Sequence, residues 1–387
     1  MTIPSPCFAD PLGGLSDQDW NELAGPRFYS SALWSRLCAL APGAVPGGLH
    51  VDLPGGGRAA VPVAAVRDEP NPHCRWQDQL ARRGLPVPPP RGILIGQRRG
   101  YLTHVLSTPG ASRAQAARGI LDAVRSMREP ERVNGSAPAA RIAMFLTTPD
   151  VRLLREAGVD TMPVALSTDA WIEIPPGGWE SWLDSLGSRH RARRVRSEVR
   201  RFARAGYRVW HRTLHEAHRD VARLMARTEA RYGRHVDVDA LSRSFRRQGE
   251  LAGDRAEVLL CGKEDGAALG LCLYYRWQDT VYLRAVGFDY ENLSGAAEYF
   301  NLTYYLPARL PGIRWLHAGI ETPEAKAGRG ATLRPLWLLD LSEHSVLSGH
   351  DRQVRRHNHA YLTGLRNSSP LVAGALDDEL WQPFCEE

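Results

Sequence analysis

The sequence predicts a mixed α/β protein built from two similar domains, each with a central mixed β-sheet flanked by helices. Three observations predict it. The chain has 387 residues, too long for one ordinary domain and suited to two. Runs of period two alternate with runs of period 3.6 along its whole length. Both halves close on the same order of strand, helix, strand, short helix and strand, and Pro175-Pro176-Gly177-Gly178 separates them. The expected domains are 1–175, the shorter and poorer in motifs, and 176–387, which ends in a helical extension.

In the first half, residues 28–40 read as a helix with Leu33, Trp34, Leu37 and Leu40 on one face. Strands follow at 50–53 and 58–66, joined by the turn Pro54-Gly55-Gly56-Gly57. The Pro- and Arg-rich stretch 68–91 reads as a long loop, and 101–107 as a strand. Ser112 is placed to cap a helix that runs to about Met127. A strand at 141–147, a short helix at 149–157 and a strand at 164–174 complete this half.

In the second half, a helix carries Trp179, Trp182, Leu183 and Leu186 on one face, and Gly187 ends it. A helix at 188–205, a strand at 207–213 and a helix at 214–232 come next. Strands are expected at 257–261, 267–276 and 280–287, then a helix at 295–310, a strand at 313–318, a short segment at 323–329 and a last strand at 333–341.

Composition narrows the function classes. Hydrophobic residues at 43% and charged residues at 24% are the balance of an ordinary globular protein. No run of 18 apolar residues is present to span a membrane, and the N-terminus shows neither a basic nor an apolar leader region, so the expected location is the cytoplasm. The six cysteines are scattered, without metal-ligand spacing, and neither a disulfide framework nor a metal site is expected. Cys261 and Cys272 sit in apolar runs and read as small core residues. The net charge of +6 suits an anionic ligand, yet 47 of the 49 basic residues are arginine, so arginine abundance by itself says little.

Two segments of the second half carry a family resemblance. SWLDSLGSRHRARRVRSEVRRFARAGYRV, residues 181–209, is a short helix, an arginine-rich helix, then glycine and a strand. GFDYENLSGAAEYFNLTYYLPARLPGIRWLHAGIETPEAKAGRGATLRPLW, residues 287–337, is strand, loop, helix and strand, followed by an acidic-x-Lys-x-x-Arg-Gly-like stretch. Together they cover about a fifth of the chain and resemble the Fem-like branch of the GNAT superfamily, whose members often hold two GNAT domains in tandem. The first half matches only in outline, through Phe28-Tyr29-Ser30-Ser31 and the strand–helix order. The resemblance implies tandem GNAT-like domains, the first degenerate and the second catalytic. It also implies amide formation on an amine acceptor, with the acyl group taken from aminoacyl-tRNA in Fem-type relatives or from acyl-CoA in ordinary GNAT enzymes.

Three stretches are candidates for that chemistry. GNAT enzymes hold the donor pyrophosphate on an Arg/Gln-x-x-Gly-x-Gly/Ala loop at a helix N-terminus, where free N–H groups and the helix dipole attract an anion. Asn292, Ser294, Gly295 and Ala297 occupy that stretch, with Asn292 in place of the usual Arg or Gln. It reads equally as an ordinary helix start capped by Ser294. In the helix at 188–205, Arg189, Arg193, Arg194, Arg196, Arg200 and Arg201 form a cationic face around a stripe of Val195, Val199 and Phe202. Such a face suits the phosphates of tRNA, and it also suits plain solvent.

The third stretch holds Glu321, Glu324, Lys326 and Arg329. An ammonium here would offset a developing oxyanion, and a carboxylate would take the proton of an attacking amine. A surface loop with a salt bridge is the alternative. Tyr304 and His317 are weaker candidates, as donor contact and general base, with core packing as the alternative for each. His215-Glu216-Ala217-His218 lacks zinc-protease spacing and reads as a solvated helix start. Gln97-Arg98-Arg99-Gly100 mimics a phosphate loop but precedes a strand.

These readings converge on an N-acyltransferase with no bound cofactor. Aminoacyl-tRNA is the favoured co-substrate and acyl-CoA the alternative; the acceptor is a small-molecule or peptide amine. A non-catalytic binding protein on the same scaffold is the reading from another class.

Overall fold

The computed structural model describes residues 7–127, 139–263, 266–293 and 296–385. The chain divides into two compact units, Met1–Asp169 with Arg334–Glu387, and Ala170–Leu333. The boundaries fall inside strands, at 169/170 and 333/334, and not at the Pro175–Gly178 stretch. That stretch is the turn that opens the first helix of the second unit, so its Pro/Gly content records a turn and no domain border. Residues 334–387 belong with the first unit.

In the first unit the chain runs through β1 (Cys7–Phe8), α1 (Asp17–Ala24), α2 (Ala32–Ala39), β2 (Ala44–Asp52), β3 (Arg58–Val66), α3 (Trp76–Ala81), β4 (Gly92–Ile95), β5 (Leu106–Ser107), α4 (Arg113–Ser126), β6 (Ala140–Leu146), α5 (Thr148–Glu156) and into β7 (Val164–Glu173). The helix expected at 28–40 is split. Phe28–Ser30 is a 3-10 turn, and Ser31, extended at φ −69° and ψ 160°, caps α2 by accepting from Trp34 N. Ser112 caps α4 as expected.

Two expectations fail here. The stretch 68–91 contains α3, and the strand expected at 101–107 shrinks to β5 plus a single bridge at Thr103. Pairing with a distant partner decides a strand: β5 keeps only the two residues that pair with β3, while the four-residue apolar run β4 pairs antiparallel with β3 and parallel with β6.

Buried charges tie this unit together. Arg98 of the Gln97–Gly100 stretch is spent internally, on Glu69 at 2.7 Å and the Ala41 carbonyl at 3.0 Å. Asp150 is 1% exposed and accepts from Arg113 at 2.9 Å, from the Thr147 hydroxyl at 2.6 Å and from the Val105 N–H at 3.2 Å, with His104 Nδ1 2.9 Å away. Burial alone would raise its pKa. The His104 hydrogen bond, then the charges around it, more than offset that and hold the carboxyl below the usual range.

The second unit continues β7 and adds α6 (Gly178–Ser185), α7 (Arg189–Arg204), β8 (Arg208–Thr213), α8 (Leu214–Arg231), α9 (Val238–Ala252), β9 (Ala256–Gly262), β10 (Gly270–Trp277), β11 (Thr280–Phe288), α10 (Ala296–Phe300), β12 (Trp315–Gly319) and α11 (Pro323–Ala327), and then enters β13 (Ala331–Asp340). Its sheet order is β7-β12-β11-β10-β9-β8, antiparallel except for the β11–β12 pair. The sheet is therefore mixed, as in the first unit. Thr213 and Glu216 form a capping box at the start of α8, which accounts for the His215–His218 stretch as a helix start. Burial pushes the thiols of Cys261 and Cys272 up to about 12, so both are inert core residues at neutral pH.

Beyond β13 the first unit is completed by α12 (Asp351–Ser368), α13 (Pro370–Ala373) and α14 (Asp378–Cys385). Trp337, Leu339 and Asp340 of β13 pair antiparallel with β6. No helix among the described residues is long and apolar enough to cross a membrane.

Candidate active site

The second unit places its polar groups where two parallel strands part. β11 pairs with β12 only through Thr280–Trp315, Val281–Leu316 and Tyr282–His317. β11 then runs on to Phe288, while β12 ends at Gly319. A β-bulge sits just past the parting: Leu283 faces Tyr274 and Ala285 faces Leu273 on β10, leaving Arg284 as the extra residue. Leu283 to Val286 are half-buried, in a strand otherwise buried at both ends. The backbone of β11 thus presents an edge toward the gap left by β12.

His317 is fully buried at the fork. Its ring packs 4.8 Å from Trp171 and 5.4 Å from Tyr282, its cross-strand neighbours on either side. An incoming amine has no path to it in this conformation, so the role of general base does not suit it. Two residues on, the Gly319 carbonyl accepts from Lys326 Nζ at 2.9 Å. Lys326 is 3% exposed, and its ammonium is thereby fixed at the end of β12. Glu321 and Glu324 are exposed, and neither carboxylate has a hydrogen bond or ion pair among the described residues.

A second polar centre lies on α7. Glu198, the one acid in that arginine helix, is buried, and accepts from Arg194 Nε at 3.1 Å, from Arg329 Nη2 at 3.4 Å and from the Tyr305 hydroxyl. Asn301 Nδ2 donates to the Glu198 carbonyl at 3.2 Å. The helix expected at 295–310 is broken to allow this. After α10 it widens to a π-helix over Asn301–Tyr305, where the Leu306 N–H reaches back to the Asn301 carbonyl at 2.9 Å, and Pro307 opens a 3-10 turn. Tyr304 and Tyr305 are buried, and burial raises the pKa of both phenols, so both stay protonated. Arg329 also donates to the Ala325 carbonyl at 2.8 Å.

Sequence reasoning missed Glu198, although a signal was present. Val195, Glu198 and Phe202 follow helical spacing, and the buried line is Ala192, Val195, Glu198 and Phe202, with Val199 only half-buried. Buried Glu298, which accepts from the Tyr207 hydroxyl at 3.1 Å, was missed too.

The remaining candidates fall as follows. Arg189, Arg193, Arg200 and Arg201 are exposed and make no ion pair among the described residues. Arg194 is engaged by Glu198 and Arg196 by Glu180 at 3.0 Å. Asn292 donates to Asp289 Oδ2 at 3.0 Å, so its amide is engaged in its own loop. Ser294 and Gly295 lie outside the described residues, as does the side chain of Ala297.

Neither a protein-family model nor a curated protein matches the sequence. Solved structures match its fold. FemX aligns over 85% of this chain and 96% of its own, at 13% identity and a TM-score of 0.56. The C-terminal domain of a putative lysylphosphatidylglycerol synthetase from Agrobacterium fabrum aligns over 84% and 92%, at 10% identity and 0.50. A conserved protein of unknown function from Bacteroides thetaiotaomicron aligns over 87% and 100%, at 12% identity and 0.50. At such identities the likeness is one of fold, and it agrees with the Fem-like resemblance carried by residues 181–209 and 287–337: the chain has the fold of FemX.

Proposed function

We propose that this protein is an N-acyltransferase whose second unit moves an aminoacyl group from aminoacyl-tRNA onto an amine acceptor. The observation that carries the reaction type is the parting of β11 from β12 beyond Tyr282. The amine nitrogen attacks the ester carbonyl carbon and forms the C–N bond. The carbonyl oxygen gains negative charge, which backbone N–H groups along 283–286 and the Lys326 ammonium are suited to stabilise. The ester C–O bond then breaks. The proton released by the amine passes to a carboxylate of the exposed Glu321–Glu324 stretch or to water, and the departing ribose hydroxyl gains one in return. No covalent enzyme intermediate is needed.

The observation that favours RNA as donor is the outer face of α7, where Arg189, Arg193, Arg200 and Arg201 are exposed without carboxylate partners among the described residues. One pyrophosphate would not require such a surface; a run of phosphates would. The deciding assay compares transfer from a charged tRNA pool, with and without ribonuclease, against transfer from acyl-CoA. Turnover abolished by ribonuclease is expected. Ribonuclease-insensitive turnover with acyl-CoA would replace the donor and leave the reaction type standing. Ligand binding without turnover, unchanged in Lys326→Met, would mark a binding protein instead.

A further inference from the structure

A pocket of about 470 Å³ lies in the second unit between the turn that opens α6 and the loop that leads into β12. That volume is within the range of small-molecule sites. Pro175, Trp179, Leu310 and Ile313 give it apolar walls, and Arg309 and Arg314 give it two guanidinium groups. It opens at the start of β12, whereas the parting of the strands follows His317, so it is separate from the transfer site.

Its wall is a built platform. Trp179 is backed by Trp182, with ring centroids 4.8 Å apart, and by Tyr305 at 5.8 Å. On Trp179 lies the guanidinium of Arg309, 3.8 Å above the ring centroid. Among the described residues Arg309 makes no ion pair within 4 Å and its guanidinium donates to no protein acceptor, although the charge of the Glu180 carboxylate reaches it. Partial burial lowers its pKa, although a guanidinium keeps its charge at neutral pH. Arg314 is held only loosely, 3.7 Å from exposed Glu173. The loop itself is anchored where Arg276 Nη2 donates to the Pro311 carbonyl at 2.5 Å.

The pocket adjoins the cationic face of α7. Glu180, next to Trp179 in the chain, is the residue that pairs with Arg196 of α7 at 3.0 Å. A polyanion lying along α7 therefore passes close to the mouth of the pocket, where the Glu180 carboxylate is neutralised by Arg196. There it meets a flat cation on a flat aromatic, with a second guanidinium beside it. A bare anion would need no platform, and an apolar chain would need no arginines; a planar ring linked to a phosphate uses both.

We infer that this pocket holds one unstacked nucleotide of the RNA donor, its base laid on the Arg309–Trp179 stack and its phosphate met by Arg314. The inference rests on the RNA-donor reading above. The probe is a short single-stranded RNA carrying 2-aminopurine, whose fluorescence is quenched when the base stacks, titrated into the full-length protein. Wild type is expected to bind and quench. Arg309→Ala should weaken binding roughly ten- to a hundredfold and abolish the quenching. Arg309→Lys should not restore the quenching, because an ammonium offers charge without a plane. Arg309 is exposed, and thermal melts of both variants should match wild type.

The paired control is Arg200→Glu with Arg201→Glu, which should weaken binding while the RNA that still binds remains quenched. If both Arg309 variants bind and quench like wild type while the α7 reversal weakens binding, the pocket inference is overturned and the donor reading survives. If the α7 reversal changes neither RNA binding nor transfer, the donor reading fails and takes the pocket inference with it.

Discussion

Arg329 sits over Phe300, its guanidinium carbon 3.2 Å from the ring centroid, and directs Nη2 at the buried carboxylate of Glu198 3.4 Å away. The pair joins the end of α11, the π-helical turn and the arginine helix at one point. Glu198→Ala would leave Arg329 buried without its counter-charge, and breaking such a pair costs about 3–5 kcal/mol. Urea denaturation should show that loss, and Glu198→Gln, which can still accept from Tyr305, should lose less. A change under about 1 kcal/mol for the alanine variant would show that the network is not what holds α7 in place.

Lys326 is tied to Gly319 at 2.9 Å, at the end of the strand where the substrate carbonyl is proposed to sit. Lys326→Met keeps most of the side-chain volume and removes the charge. Turnover should fall about 10²–10³-fold with KM little changed, the pattern for a group that acts on developing charge. A raised KM at constant kcat would assign the ammonium to substrate binding instead.

The arginine face of α7 should make RNA binding steeply salt-dependent. Reversing Arg200 and Arg201 to glutamate should flatten the slope of log affinity against log salt by about 0.7–0.9 for each phosphate that is no longer neutralised. The fold should survive, since Ala192, Val195 and Phe202 still pack. Filter-binding titrations between low and moderate salt would read the slope directly; an unchanged slope would exclude these two side chains from the RNA interface.

Acid should unfold the first unit partly through Asp150. Its pKa in the folded protein is lowered, so the unfolded chain binds the proton more readily. The stabilisation is therefore complete above the unfolded value of about 3.9 and is lost as pH falls through the folded value. Asp150→Asn should remove that part of the acid limb, making stability less dependent on pH below about 4. Denaturation midpoints across the acid range would test it, and an unaltered acid limb in the variant would refute it.

Local pattern was enough for much of the architecture. Ser112 before a 3.6-residue repeat, the apolar run of β3 after a glycine-rich turn and the capping box at Thr213 and Glu216 each declare an element through neighbours in the chain, because caps, turns and apolar patterns are local physics. The Fem-like resemblance of residues 181–209 and 287–337 was legible for the same reason. Only the tertiary structure decided the rest. β4 is a strand because β3 and β6 flank it, and four apolar residues carry no periodicity to announce that. The turn at Asn301–Tyr305 widens where Asn301 and Tyr305 must reach Glu198, more than a hundred residues earlier in the chain. The unit boundaries lie within β7 and β13, since strand pairing, a non-local contact, sets them. His317 moved from candidate base to buried packing residue, and Glu198 from a lone acid to a hub, because burial and hydrogen bonding depend on what folds against a side chain and not on what precedes it.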